Sequence, residues 1–547
     1  MKHLERILGE LDRHPDHPFV QEARGGQLLA FPGSWLAERI RRARAFLSDA
    51  GVRRGDRVAL LGTNSASWVA ADLAIIAHGA IVVPLYARSQ PAEMAALLRD
   101  ATPTLVLVES AEQAAALRQA GVDVPIHELA ALDQAEDRGD APPERDVESP
   151  VAILYTSGTS GEPKGVVLTG ANLDFMLERT NRRLDGLMGR EPGPDRVFHY
   201  LPFCFAGSWI LLLASLGRRS ILTLNTDLSS IVEDLALAKP HYFQNVPVLL
   251  ERMREGITRA LARRPPTRAL FRAAERAQQA EMRGESPRRR DFVARGTARA
   301  VLFPTVRRRL GPRLRALICG SAPLTSETQG FFDLIGIPVL QVYGLTETTA
   351  ILTMDEPDRV VPGRVGRAVE GVEMRLGEHD EILARGPNVF GGYWNRPDAT
   401  SASFTDGWFR TGDQGEVDAD GNWRVIGRIK NLIVPTSGHN VAPEPLEEAI
   451  AARLPSAQQV VVIGDAKPWL AVLVTGSVRP EEVERALEEI NVDLPHYRRV
   501  RGSLVIETPF TAEDGLLTAN GKLRRAAIAE RFRDSIDALY AQSAVSA

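Results

Sequence analysis

Cysteine is almost missing from this chain: Cys204 and Cys319 are the only two. That is too few for a disulfide framework or a cysteine-built zinc site, and it is the usage of a reducing compartment, so a cytoplasmic location is expected. Long apolar runs are also lacking. The most hydrophobic window, Val69 to Ala87, is interrupted by Asp72, His78 and Pro84, and the N-terminal MKHLERILGELDRHPDHPF has no continuous apolar stretch. No transmembrane helix or secretory signal is therefore predicted. Neither charge sign dominates: Lys plus Arg number 66 against 70 for Asp plus Glu, a net charge of −4. With no global basic field, nucleic acid is not an expected partner. An HExxH metal helix, a GxSxG nucleophile elbow, a kinase signature set and a GxGxxG opening a first βα unit are all absent.

What is present is a chain of 547 residues with 44% hydrophobic and 25% charged residues, ordinary globular usage spread over more than one folding unit. Leu36, Ile40, Ala43 and Leu47 recur at helical spacing before Gly51, and then RVALLG, a helix-length segment and AIVVPLYA read as strand, helix, strand. The same rhythm returns at TLVLVE, SILTL and PVLQVYG. Short branched runs separated by helix-length segments predict buried parallel strands in an α/β fold. From about 361 the texture changes to short strand-like pieces with Gly, Asn and Asp turns, a small β subdomain reaching to about 428. The expected division is a large N-terminal α/β domain over 1–428 and a small α+β C-terminal domain over 429–547.

The densest chemical signal is YTSGTSGEPKG, which follows the strand-like VAIL. Small residues let backbone N–H groups approach phosphate oxygens, hydroxyls add donors, and Lys164 adds a mobile cation. A Walker loop is excluded, because the register from Gly158 puts Pro163 where the second glycine belongs. Three further segments stand out in order: QVYGLTET at 341–348, GWFRTGD ending at Asp413, and LTANGKLRR containing Lys522.

These four segments in this order resemble the acyl-adenylate-forming superfamily of acyl-CoA synthetases, luciferases and peptide-synthetase adenylation domains, with long-chain fatty acyl-CoA ligases nearest. The likeness spans nearly the whole chain and implies ATP, Mg²⁺ and CoA as cofactors and co-substrate. It assigns Thr156, Ser157, Gly158, Thr159, Ser160, Gly161 and Lys164 to phosphate, and Gly320, Ser321 and Ala322 to the neighbourhood of adenine and the acyl pocket. In the second motif it implies a nucleotide site with Gln341 and Gly344, Tyr343 stacking on the base, Thr346 at the α-phosphate and Glu347 holding the metal. Asp413 would accept from the ribose hydroxyls, for which a carboxylate has two oxygens, and Arg428 would reach ribose or phosphate. Lys430 matches the family's hinge and Lys522 its mobile catalytic lysine, so Lys522, Glu347, Thr346 and Lys164 are the expected catalytic residues.

The acyl site is read from LPFCFAGSW: Trp209 falls at the family's gate position, and Phe205 stands where a histidine is usual, with a core aromatic as the open alternative for both. Val342 replaces a common glycine before Tyr343. The expected reaction is ATP-dependent activation of a carboxylic acid, a medium- or long-chain fatty acid, and its transfer to CoA. A carrier protein loaded by an acyl-AMP ligase is the alternative acceptor, and a non-catalytic membrane-associated nucleotide-binding scaffold the alternative of another class. Between Glu251 and Arg313, 18 Arg face 6 acidic residues. That segment reads either as a solvated helical insertion or as a peripheral contact with anionic lipid, at the inner membrane face.

Overall fold

The structure is a computed structural model that describes residues 1–547 except 140, 145, 157–162, 190–192, 518–520 and 545–547. Within the first compact unit, Met1–Met374 with Ala384–Phe409 and Val417–Arg424, two sheets carry the α/β pattern. The six-stranded sheet has the order Ile126–Glu128, Leu105–Val108, Arg57–Leu61, Ile81–Leu85, Pro150–Thr156, Lys164–Thr169. Its pairings are parallel up to the last, where Pro150–Thr156 meets Lys164–Thr169 antiparallel and Thr156 faces Lys164.

The nine-stranded sheet runs Arg367–Ala368, Thr353–Met354, Val339–Tyr343, Ala316–Cys319, Tyr242–Asn245, Arg196–His199, Ile221–Asn225, Val20–Arg24, Gln27–Phe31. Its six central strands are parallel and it ends on one side in an antiparallel hairpin. The apolar runs recognised in the sequence are these buried strands. Their solid hydrophobicity, Val-Ala-Leu-Leu or Leu-Val-Leu-Val, follows from cover on both faces.

Ala66–His78 shows how completely one helix can be enclosed. Ser65 caps it by accepting from the Trp68 backbone N–H, Gly79 ends it in a left-handed conformation (φ 90°), and nearly every residue between is buried in the main core. A second core joins Phe198, Phe243, Phe331 and Phe332 to the arginine-rich helices through Phe271, Ala274, Ala298, Phe303 and Val306. The arginine-rich segment is therefore helical, spanning Pro247–Ala262, Pro265–Met282, Arg289–Thr297 and Phe303–Leu310.

The second unit comprises Arg375–Leu383, Arg410–Glu416 and Val425–Ala547. Its three-stranded sheet, Ala457–Ile463, Leu470–Gly476, Val500–Ile506, has the central strand buried throughout, with helices Glu444–Arg453 and Pro480–Asn491 packed into one core and Arg525–Arg531 and Arg533–Ala544 into another. Short strands follow at Glu373–Leu376, Glu381–Arg385, Phe404–Thr405, Trp408–Val417 and Trp423–Arg428, and their residues are shared out between the two units.

Candidate active site

In the first unit the motif residues gather at the carboxyl ends of parallel strands, where open α/β sheets bind ligands. Thr156 ends Pro150–Thr156, Gly320 follows Ala316–Cys319, and Tyr343 ends Val339–Tyr343. The last two strands are neighbours, and the close approach there needs glycine: a Cβ on Gly320 would lie 2.8 Å from Val342 Cγ2, and one on Gly344 would lie 2.3 Å from the Ala350 carbonyl oxygen. Val342 thus packs directly against Gly320. Ser321 (φ 72°), Thr349 (φ 49°) and Ala350 (φ 84°) adopt left-handed backbone in the same two loops, a conformation that costs a non-glycine residue free energy and that clusters at functional sites. Ser321 and Ala322 are exposed, and Tyr343, Gly344, Thr346 and Glu347 are half-buried around the short turn Thr346–Thr348.

Glu347 is held by a residue that sequence reasoning missed. The Tyr393 hydroxyl donates to Glu347 Oε1 at 2.9 Å, and Lys164 Nζ lies 5.1 Å from the centroid of the same ring. One aromatic side chain therefore spaces a cation from a carboxylate. Lys164 and Glu347 form no ion pair with each other or with any other described residue, so each keeps charge to offer a ligand. The available signal was the aromatic pair Tyr393–Trp394 after Gly391–Gly392, which the structure pins through a bridge between Val166 and Tyr393. Ser157, Gly158, Thr159, Ser160 and Gly161 lie outside the described residues.

Gln341 has a structural post. Its amide donates to Gln329 Oε1 and to the Arg364 carbonyl, both at 2.9 Å, while its backbone N–H donates to Asp355. Phe205 lies half-buried at the start of helix Ala206–Gly217, its ring 5.6 Å from that of Tyr86. Trp209 is fully buried, with Nε1 donating to both Asp72 carboxylate oxygens at 3.1–3.2 Å. Asp72, which interrupts an apolar window in the sequence, is thus the buried partner of that indole. Burial pushes its carboxyl up to about 7, against the opposing effect of the Trp209 hydrogen bond.

In the second unit, Asp413 and Arg428 form a pair, Oδ1 to Nε 2.9 Å, and Arg428 also donates to the Thr411 carbonyl at 3.2 Å. Asp413 is buried on Trp408–Val417, and its backbone N–H donates to Thr411 Oγ1. Lys522 is drawn into this group. Much of its side chain is open to solvent, but desolvation by the surrounding chain lowers the ammonium pKa, the Arg428 charge adds to the effect, and Asp413 opposes it. Lys430 is lowered for like reasons, desolvation first, then Arg428, Arg525 and Lys522. Arg525 itself is engaged by Glu447 at 2.5–2.7 Å. Four cations clustered in one region, with desolvation already depressing two of them, favour an incoming anion.

Residues 10–394 match the model of the AMP-binding enzyme family, and residues 430–544 match the AMP-binding enzyme C-terminal domain. The chain belongs to the AMP-binding enzyme family. The long-chain-fatty-acid–CoA ligase FadD15 of Mycobacterium tuberculosis is 28% identical over 96% of this chain and 95% of its own. Acyl-CoA ligase 891, peroxisomal, of Penicillium brevicompactum is 31% identical, covering 78% of this chain and 67% of that one. The structure of O-succinylbenzoate coenzyme A synthetase (MenE) from Bacillus subtilis, solved with ATP and a magnesium ion, matches 95% of this chain and 98% of its own with a TM-score of 0.73. At 22% identity that likeness shows the fold, an α/β architecture with a large N-terminal and a smaller C-terminal domain. The family expected from the four motifs is thus the family found.

Among the described residues of this AMP-binding enzyme, no group of three or more His, Cys, Asp or Glu could cage a metal ion. Glu347, a lone half-buried carboxylate with one oxygen engaged by Tyr393, fits Mg²⁺ better than it fits a metal that needs a full set of protein ligands. Mg²⁺ is commonly held by one or two carboxylates, the rest of its shell being phosphate and water. No helix among the described residues is long and apolar enough to cross a membrane.

Proposed function

We propose that this AMP-binding enzyme is an acid–thiol ligase that activates a medium- or long-chain fatty acid with ATP and passes it to CoA. A carboxylate oxygen of the acid bonds to the α-phosphorus as the α–β phosphoanhydride breaks and pyrophosphate leaves. The thiol sulfur of CoA then bonds to the acyl carbonyl carbon, AMP departs, and the thiol proton goes to solvent. Mg²⁺, which Glu347 would help hold, neutralises phosphate charge when bound.

The observation that carries the reading is the Lys164–Tyr393–Glu347 arrangement, a cation and a carboxylate kept from neutralising each other. Such a pair suits an anionic ligand that brings its own metal, and preorganised charge of this kind lowers the barrier where negative charge builds. Thr346 is assigned to the α-phosphate beside Glu347, and Thr156 to the phosphate-binding loop. In the second unit Asp413 and Arg428 are assigned to the ribose, and Lys522 to the carboxylate and α-phosphate during adenylation, with Lys430 as the hinge residue. Gly320, Ser321, Ala322, Tyr343 and Gly344 are assigned to adenine and its surroundings.

The fatty-acid assignment is supported by the names of FadD15 and its like among the relatives. CoA is favoured over a separate carrier protein, because those relatives are named as CoA ligases. Peripheral contact with anionic lipid through residues 251–313 completes the reading. Exchange of labelled pyrophosphate into ATP, run with acids from acetate through oleate to aromatic acids, tests it. Exchange that rises with chain length is the expected result, and exchange with aromatic acids alone would overturn the substrate assignment. Thioester yield with CoA, compared with that on a carrier protein, decides the acceptor.

A further inference from the structure

The segment 386–396 touches both phosphate-side motifs along its length. Asn388 is fully buried and donates its amide to the Thr348 carbonyl at 3.2 Å and the Ile351 carbonyl at 2.8 Å, while its own carbonyl accepts from Thr349 Oγ1 at 2.7 Å. The Phe390 N–H donates to the Glu347 carbonyl at 2.8 Å. Beyond that point the segment turns to the hairpin of Pro150–Thr156 and Lys164–Thr169. The Gly392 carbonyl accepts from the Val167 N–H at 3.2 Å, and the Trp394 N–H donates to the Gly165 carbonyl at 2.7 Å. Tyr393, which holds Glu347, therefore stands between two backbone attachments.

The far end of the segment is fixed by a carboxylate from another helix. Asp100 lies in the last turn of helix Pro91–Ala101, and its two oxygens serve different elements: Oδ1 meets Arg396 Nη2 at 2.9 Å, and Oδ2 accepts from the Tyr155 hydroxyl at 2.7 Å. The Asp100 carbonyl also accepts from Trp394 Nε1 at 3.2 Å. Tyr155 pairs with Gly165 across the hairpin, and the closure there requires glycine, since a Cβ on Gly165 would lie 2.7 Å from Ile153 Cγ2, 3.2 Å from Tyr155 Cζ and 3.3 Å from Trp394 Cβ. A negative charge in the last turn opposes the helix dipole, so Asp100 gains nothing from its own helix. An ion pair with a partly exposed arginine adds little to stability. What the Asp100 contacts share is that each reaches an element carrying a phosphate-site residue: Tyr155 beside Thr156, Trp394 and Arg396 beyond Tyr393.

We propose that Asp100 is a positioning residue for the adenylation step. By tying Trp394 and Arg396 to Tyr155 it sets where the Tyr393 hydroxyl stands, and hence how Glu347 is oriented. Asp100 acts through these side chains and not on the nucleotide itself. Released from Asp100, the 394–396 end keeps only its backbone bond to Gly165, and the Tyr393 hydroxyl loses its fixed distance to Glu347. Rates respond strongly to small misplacements of groups that position a reactant, even when the change lies away from the chemistry. The inference rests on the adenylating reading and deepens it by adding a residue that no motif contains.

Two variants test it. Asp100→Ala removes both carboxylate contacts, and Asp100→Asn keeps an oxygen for the Tyr155 hydroxyl while losing the charge that pairs with Arg396. In pyrophosphate exchange Asp100→Ala should lower kcat about 10- to 100-fold and Asp100→Asn by less, with the Mg²⁺ concentration for half-maximal rate rising and the KM for the acid unchanged. Because the effect passes through the Tyr393 hydroxyl, adding Asp100→Ala to Tyr393→Phe should cost less than about threefold further. A full-sized loss in the Tyr393→Phe background, an unchanged magnesium requirement, or melting of both Asp100 variants below the assay temperature would each overturn the positioning role. Magnesium-dependent ATP binding, measured by calorimetry on the same proteins, separates this inference from the reading beneath it. If no acid supports exchange in the native chain, the adenylating reading falls, and weaker magnesium-dependent binding by Asp100→Ala still upholds the positioning role. Native exchange and native binding in Asp100→Ala would remove the positioning role alone.

Discussion

Tyr393 touches both charged residues of the phosphate-side motifs, donating its hydroxyl to Glu347 at 2.9 Å while its ring faces Lys164 Nζ at 5.1 Å. The hydrogen bond fixes one carboxylate oxygen and so orients the other. The ring gives the lysine a resting place that is not a salt bridge. Tyr393→Phe keeps the ring and removes the hydroxyl, so pyrophosphate exchange should fall about 10- to 100-fold, the usual range for a hydrogen bond to a charged group. The Mg²⁺ concentration for half-maximal rate should rise with it. Tyr393→Ala should cost more, because the platform under Lys164 goes too. Equal rates for Tyr393→Phe and the native chain across a magnesium titration would show that the contact orients nothing.

Lys522 gives a pH prediction with a definite sign. Its ammonium is pushed below the ordinary lysine range by desolvation and by Arg428. If adenylation needs the cation, the rate declines as pH rises through that lowered pKa, so the alkaline limb of the exchange profile should begin below 10.5, the ordinary lysine value. Lys522→Arg retains a charge that stays on at high pH, and it should move that limb upward while lowering the plateau. Lys522→Ala should abolish exchange yet leave thioester formation from supplied acyl-adenylate. A limb that does not move in Lys522→Arg would assign it to another group.

The α/β rhythm of the first unit was legible because a strand buried on both faces must be apolar at every position. RVALLG and TLVLVE accordingly sit where the structure has Arg57–Leu61 and Leu105–Val108. Strands whose apolar positions are diluted, such as the half-exposed Gln27–Phe31, left no such mark. The motif residues were legible as residue types at fixed spacing. Their supports were not: Tyr393 reaches Glu347 across 46 residues through a bridge to Val166, which no window along the chain contains. Gln341 reads as a ligand residue by position, whereas its side chain is spent on Gln329 and Arg364. Asp72 reads as a break in hydrophobicity until Trp209, 137 residues away, supplies its donor.

That buried pair makes a prediction about stability. Burial raises the Asp72 carboxyl from its ordinary 3.8 to about 7, so the folded chain holds a proton there that the unfolded chain gives up. The stabilisation is complete below about pH 4 and is lost as pH rises toward about 7, at roughly 1.4 kcal/mol per unit of pKa difference. Asp355, also raised to about 7 by burial, adds a slope of the same sign. Asp72→Asn removes one of the two titrations while keeping a carbonyl to accept from the indole. Its apparent melting temperature should therefore lie near or below that of the native chain at pH 5, gain on it up to about pH 7 and hold that gain at pH 8. Trp209→Phe should do the opposite, since the ionised carboxylate then loses the indole donor and the loss of stability runs on to higher pH. Parallel melting curves for Asp72→Asn and the native chain across that range would mean that Asp72 does not titrate there, and the indole contact would then be a hydrogen bond to a permanently charged carboxylate.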